Sequence, residues 1–142
     1  MKNNISGENI YQYSATKCPI LEINPTTDDF QAYYTSAVEI CLNYLSKSLQ
    51  VIHSYNIVIG DLSSSNVLID NNLKISFLDL EGARKLYEDE EIPYLFSLGF
   101  IDKMTMKRKG ATIESGLYAL GCIMCNLFTL QNNQFKINSN EY

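Results

Sequence analysis

Three short polar side chains interrupt the most β-prone stretch of this chain, and they constrain it more than any other feature. Asp61 and Asn66 bound the run Asp61-Leu62-Ser63-Ser64-Ser65-Asn66, and Asp79 opens Asp79-Leu80-Glu81. Asn66 follows Asp61 by five residues, and Asp79 follows Asn66 by thirteen. Around them lie the apolar runs Ile57-Val58-Ile59, Val67-Leu68-Ile69 and Leu73 to Leu78. The last two flank Asp70-Asn71-Asn72, which is tight-turn chemistry and predicts a hairpin. A hairpin there returns the chain so that Asp79 faces Asn66. A lone Asp at a loop start is ordinarily a turn or cap residue. It is the set, with both offsets and the hairpin between, that points to chemistry.

The element before this stretch is a helix. Phe30, Tyr34, Ala37, Val38, Cys41, Tyr44, Leu45, Leu49 and Ile52 recur at spacings of three and four, which predicts a long amphipathic helix. Thr27 is placed to cap it, with Asp28 and Asp29 favourable against its dipole. Asn56 suits a left-handed closing residue. Residues 1–27 carry Gly7, Pro19 and Pro25 and little periodicity, so loops with one short helix are expected. Beyond Asp79 an irregular segment is expected, with the acidic run Glu88-Asp89-Glu90-Glu91 and the basic run Lys107-Arg108-Lys109 as solvated surface. A second helix, from Thr112–Ser115 to about Leu130, is apolar nearly all round and should be buried on most sides. The tail 131–142 is polar and expected to fray.

Composition narrows the classes. The 142 residues are 46% hydrophobic and 19% charged, as in a globular chain with a single core. A net charge of −5 argues against nucleic-acid and anionic-membrane partners. Cys122 and Cys125 have C-x-x-C spacing but stand in an apolar helical run with no second ligand pair, so a buried structural role is expected. His53, the single histidine, ends a helix and reads as packed or as a partner to the helix dipole. With no secretory h-region and no membrane-length apolar run, a cytoplasmic location is expected.

These residues resemble the protein-kinase signature set, whose catalytic loop reads H-R-D-L-x-x-x-N and whose metal loop reads D-F-G. Here they read Ile59-Gly60-Asp61-Leu62-Ser63-Ser64-Ser65-Asn66 and Asp79-Leu80-Glu81. Ser115-Gly116-Leu117-Tyr118-Ala119-Leu120-Gly121 resembles the run that opens the buried central helix of that fold, and Gly7-Glu8-Asn9-Ile10 resembles its hinge. A Gly before the catalytic Asp and a Glu ending the metal loop are most similar to the kinase domains of class III and IV lanthipeptide synthetases. Aminoglycoside and choline phosphotransferases share the Asp, Asn and Asp arrangement. The resemblance implies a mainly α fold with small β-hairpins (α+β), a partial kinase-like domain over residues 1–142 running from hinge to central helix.

It also implies ATP-dependent phosphoryl transfer to a hydroxyl. Asp61 would act as catalytic base or hydroxyl positioner, and Asn66 and Asp79 as ligands of Mg²⁺ that help to hold ATP. Glu81 is a further candidate to assist the metal or hold its loop. The implied partners are a peptide substrate and a small-lobe or cyclase-like domain. The sequence departs from the pattern in several places. It contains no Gly-rich loop and no strand lysine ahead of Gly7. Ile59 and Gly60 replace His and Arg, Asp102-Lys103-Met104 stands where A-P-E is usual, and Gly116 replaces an Asp that braces the catalytic loop. The 142 residues alone are therefore expected to be inactive, and a non-catalytic binding module is the alternative.

Overall fold

A computed structural model describes residues 7–87, 95–108 and 110–130 of the chain. The acidic run 88–91 and the tail 131–142 lie outside these residues. The architecture is mainly helical with two small antiparallel sheets, the α+β class expected.

The chain enters through β1 (Glu8–Asn9), which pairs antiparallel with β3 (Val67–Ile69). Gly7 is needed at this entry, because a Cβ there would lie 2.7 Å from the Ile69 carbonyl oxygen. Asn9 then caps α1 (Ile10–Lys17) in a reciprocal box with Gln12. A 3₁₀ turn, Pro19–Leu21, leads toward the long helix.

That helix begins as α2 (Thr27–Glu39), one residue from expectation: Thr26, not Thr27, is the cap. The Asp29 amide donates to Thr26 Oγ1 at 3.2 Å, and Asp29 Oδ2 accepts from the Thr26 amide at 2.9 Å. The helical run is also not uniform. A π-helical segment, Ile40–Leu45, separates α2 from α3 (Ser46–Ser54). The wider turn keeps Tyr33 and Ala37 before it, and Ile40, Cys41, Leu45 and Leu49 within and beyond it, all buried on one side. A spacing count of threes and fours cannot register one such turn. Burial raises the Cys41 thiol to about 11, so it packs as a neutral apolar group. Asn56 closes the helix with φ 57°, as its side chain suggested.

Two short strand pairs follow. β2 (Ile57–Val58) pairs with β5 (Arg84–Lys85), and β3 pairs with β4 (Ile75–Phe77) in the predicted hairpin. Asp70 builds the turn, its Oδ1 accepting from the amides of Asn72 (2.8 Å) and Lys74 (2.9 Å). The left-handed residue is Leu73 (φ 62°), not an Asn, and β4 starts two residues later than the apolar run suggested. Leu73 tolerates this conformation because its side chain packs on the core.

The segment after Asp79 is more ordered than expected, since α4 (Lys103–Arg108) forms within it. Asp102 is the reason: its Oδ1 accepts from the amides of Met104 and Thr105, each at 2.9 Å, and its Oδ2 from the Thr105 hydroxyl. Partial burial works to raise the Asp102 carboxyl, and these bonds outweigh it and hold the group below its ordinary range.

The central helix is α5 (Ile113–Thr129), capped by Thr112 and packed against α1, α2 and α3. Its inner face, Ala119, Ile123 and Leu127, anchors the core with Ile10, Leu45 and Leu49. Its end carbonyls are satisfied from α2: Tyr33 Oη donates to the Leu127 oxygen at 2.6 Å, and Tyr34 Oη to that of Phe128 at 3.4 Å. Desolvation, then the nearby Cys18, pushes the Tyr33 phenol up, so it remains a donor. The helix is not sealed all round, however. Among the described residues Leu117, Gly121 and Cys125 form an exposed stripe, with Leu117 54% exposed. Cys122 is buried, whereas Cys125 faces outward, so the structural reading of the pair holds for the first member only.

Candidate functional site

Asp61 to Asn66 form the loop between β2 and β3, and their burial decides which side chains face out. Leu62, Ser63 and Ser64 are buried, Ser65 is exposed, and Asp61 and Asn66 are half-buried. Leu62 joins the core and ties the middle of the loop to the helices. The loop also receives two bonds from below. The Tyr11 amide donates to the Ser64 carbonyl oxygen at 3.3 Å, and Asn126 Nδ2 donates to Ser64 Oγ at 2.9 Å.

Asp61 and Asn66 are in direct contact. Asn66 Nδ2 donates to the Asp61 carbonyl oxygen at 3.0 Å and to Asp61 Oδ2 at 3.1 Å. The Asn66 amide nitrogen thus serves Asp61 twice, which orients the amide plane and turns Asn66 Oδ1 away from that residue. Asp61 Oδ1 is buried with no hydrogen-bond partner among the described residues.

Asp79 lies on the neighbouring turn and is exposed. It adopts φ 49°, ψ 63°, a left-handed conformation that Asp tolerates better than most side chains, and it precedes a 3₁₀ turn, Leu80–Gly82. The backbone ties this turn to the Asp61 loop on both sides of Asp79. The Leu78 amide donates to the Asn66 carbonyl oxygen at 2.8 Å, and the Gly60 amide donates to the Gly82 carbonyl oxygen at 3.1 Å. A Cβ on Gly60 would lie 2.5 Å from that same oxygen, so only glycine permits this approach. Glu81 lies exposed in the turn. Among the described residues no group of three or more His, Cys, Asp or Glu side chains is gathered as a metal cluster.

His53 packs rather than pairing with a helix end. Its Nε2 is buried with no hydrogen-bond partner among the described residues, lying 3.1 Å from where a Cβ of Gly116 would be. Desolvation lowers its pKa, so the ring is neutral and cannot serve as a cation for the α3 dipole. The imidazole fills the space that Gly116 leaves. Gly116 itself has no side chain with which to brace the loop.

Two residues beneath the site, Ser64 and Asn126, were not singled out from the sequence. A signal was present at Asn126: one amide in the otherwise apolar run Cys122-Ile123-Met124-Cys125-Asn126-Leu127-Phe128. An amide on an inward helix position must find a polar partner, but the sequence does not say which.

No protein-family profile matches the chain. It is 26% identical over 88 residues to the serine/threonine-protein kinase PDK1 of Cryptococcus neoformans, covering 56% of the chain and 7% of that protein. It is 28% identical over 98 residues to a probable serine/threonine-protein kinase of Dictyostelium discoideum (69% and 10%). It is 30% identical over 98 residues to the probable serine/threonine-protein kinase PknB of Lactococcus lactis (67% and 16%). The chain therefore spans between 7% and 16% of the length of these relatives. It is a distant relative of Ser/Thr protein kinases, and its α+β fold is consistent with part of the large lobe of a kinase-like domain.

Proposed function

We propose that this chain carries the hydroxyl-positioning base and the magnesium ligands of an ATP-dependent phosphotransferase acting on Ser and Thr of a peptide. The observation that carries the reading is the joined pair of loops, with Asp61 bonded to Asn66 and the Asp79 turn tied to the same strand end. Phosphoryl transfer needs positioning and charge neutralisation more than covalent work, so two rigidly linked loops suit it. The half-buried Asp61 carboxylate, oriented by its bond from Asn66, would take the hydrogen bond, and then the proton, of the attacking hydroxyl.

The donor set fits magnesium. Asn66 Oδ1, turned from Asp61, offers a neutral oxygen, and the exposed Asp79 carboxylate offers an anionic one. Mg²⁺ is commonly held by one or two carboxylates with water and phosphate completing its shell, so the absence of a larger acidic cluster among the described residues is compatible with it. When bound, the ion would neutralise charge on the transferring phosphate. Gly60 before Asp61 and Glu81 after Asp79 support the lanthipeptide-synthetase type, with a Ser/Thr-bearing precursor peptide as acceptor. Ahead of Gly7 the 142 residues carry no Gly-rich loop or strand lysine to cover the nucleotide, so by themselves they are expected to transfer no phosphate.

Two measurements test this. In a Mn²⁺ titration of the isotopically labelled chain, the resonances of Asn66 and Asp79 should broaden first, and Asp79→Ala should abolish that selectivity. Broadening that begins elsewhere, or that survives Asp79→Ala, would remove the metal assignment. With radiolabelled ATP and Mg²⁺ the purified chain should label no peptide. Labelling that disappears in Asp79→Ala would establish the chemistry and overturn the expectation of inactivity.

A further inference from the structure

The loop that carries Asp61 has a polar seat inside the core. Ser63 and Ser64 are 1% and 2% exposed, and Asn126, on the inner face of α5, is 5% exposed. Asn126 Nδ2 donates to Ser64 Oγ at 2.9 Å, a buried contact between residues 62 apart in sequence. It is a side-chain bond that joins α5 to the catalytic-loop candidate. Everything else at this level of α5 is apolar: Ile123 and Leu127 on either side are fully buried. An amide placed there would be costly without its bond, and Asn126 Oδ1 has no partner among the described residues. A leucine or methionine would fill the same position at no such cost. The polar residue is thus poorly explained by stability, and what it does gain is a fixed position for Ser64.

We infer that Asn126 is a positioning residue for the site, acting through Ser64 to set the height and orientation of the Asp61–Asn66 loop. Ser64 is held from two directions, by Asn126 at its hydroxyl and by the Tyr11 amide at its carbonyl. Two residues later, Asn66 Nδ2 bonds both the carbonyl and the carboxylate of Asp61. A displacement at Ser64 is therefore carried by a short span of chain to the bonds that orient the Asp61 carboxylate. The importance of this for catalysis rests on the phosphotransfer reading. The positioning itself does not, and can be measured without ATP or metal.

The test is amide hydrogen exchange together with the Asn66 side-chain NH₂ resonances, on the 142-residue chain and on Ser64→Ala, Asn126→Ala and the double variant. Ser64→Ala removes one hydroxyl and is the variant least able to disturb the core. In it, exchange of the amides of residues 63–66 should rise at least tenfold, and the Asn66 NH₂ signals should move toward those of a free amide. Amides of α2 should be unchanged. Asn126→Ala should reproduce the loop effect, and the double variant should add less than twofold to either single one. If Ser64→Ala leaves loop exchange within twofold of the parent and the Asn66 signals in place, the inference is wrong. It is also wrong if exchange rises uniformly over the whole chain, since that would describe a stability contact only. Failure of the Mn²⁺ titration with a positive result here would instead remove the chemistry and leave the positioning standing.

Discussion

The helical scaffold and the loop pair above it treat buried polar atoms differently. Where α5 ends against α2, the end carbonyls of Leu127 and Phe128 are met by the Tyr33 and Tyr34 hydroxyls; the two tyrosine rings meet edge-to-face, and Tyr34 stacks on Phe128. Around the loops the opposite holds. Of the five buried side-chain atoms without partners among the described residues, Asp61 Oδ1, Ser63 Oγ and Asn126 Oδ1 lie on or under the Asp61 loop. Buried polar groups are normally satisfied, and exceptions collect where a protein does something other than fold. The contrast separates a region built for stability from one built for position.

The largest effect should come from the scaffold. Leu127 is fully buried in the core, and Leu127→Ala should destabilise the chain by about 2–5 kcal/mol in urea unfolding. A loss below about 1 kcal/mol would mean that the α5 seam is not the core. Gly60→Ala comes next and probes the join between the regions. Its Cβ would press on the Gly82 oxygen, so a cost of about 1–3 kcal/mol is expected, with loss of exchange protection at the Gly60 amide. If that amide stays protected, the two loops are not clamped as described. At the far end of the scaffold, Thr26→Ala should cost about 1 kcal/mol and fray only the first turn of α2, as seen in exchange of residues 27–29.

The smallest effect is a pH dependence at His53. Burial lowers its folded pKa below the ordinary 6.5, so the unfolded chain binds the proton more readily. Above 6.5 both states are neutral and His53 contributes no slope. As pH falls through 6.5 toward the folded value, stability should decline, and it should level off below that value. His53→Gln should flatten this part of the curve measured by urea unfolding between pH 5 and 8. An unchanged slope would place its source elsewhere.

Leu117 and Asn126 show where legibility stops. Both stand in a helix whose apolar content is plain, yet one ends up on the surface and the other inside. Periodicity assigns residues to faces of an element, and only packing partners decide which face is covered. The π segment at Ile40–Leu45 is similar: it alters helical register by local geometry that no residue type in the run announces.

The sequence by itself determined the elements whose causes are local. The long helix, the Asp70 hairpin, the left-handed Asn56 and the Asp61, Asn66 and Asp79 spacing all rest on side chains acting within a few residues of themselves. Tertiary structure alone decided what depends on approach between distant segments. It placed Gly60 against Gly82, His53 against Gly116, and Asn126 under Ser64. Those contacts join residues 22 to 63 positions apart, and they exist because burying one apolar core brings the loop and α5 together. Residue type can demand a partner at such positions, and only the closed core says which one it meets.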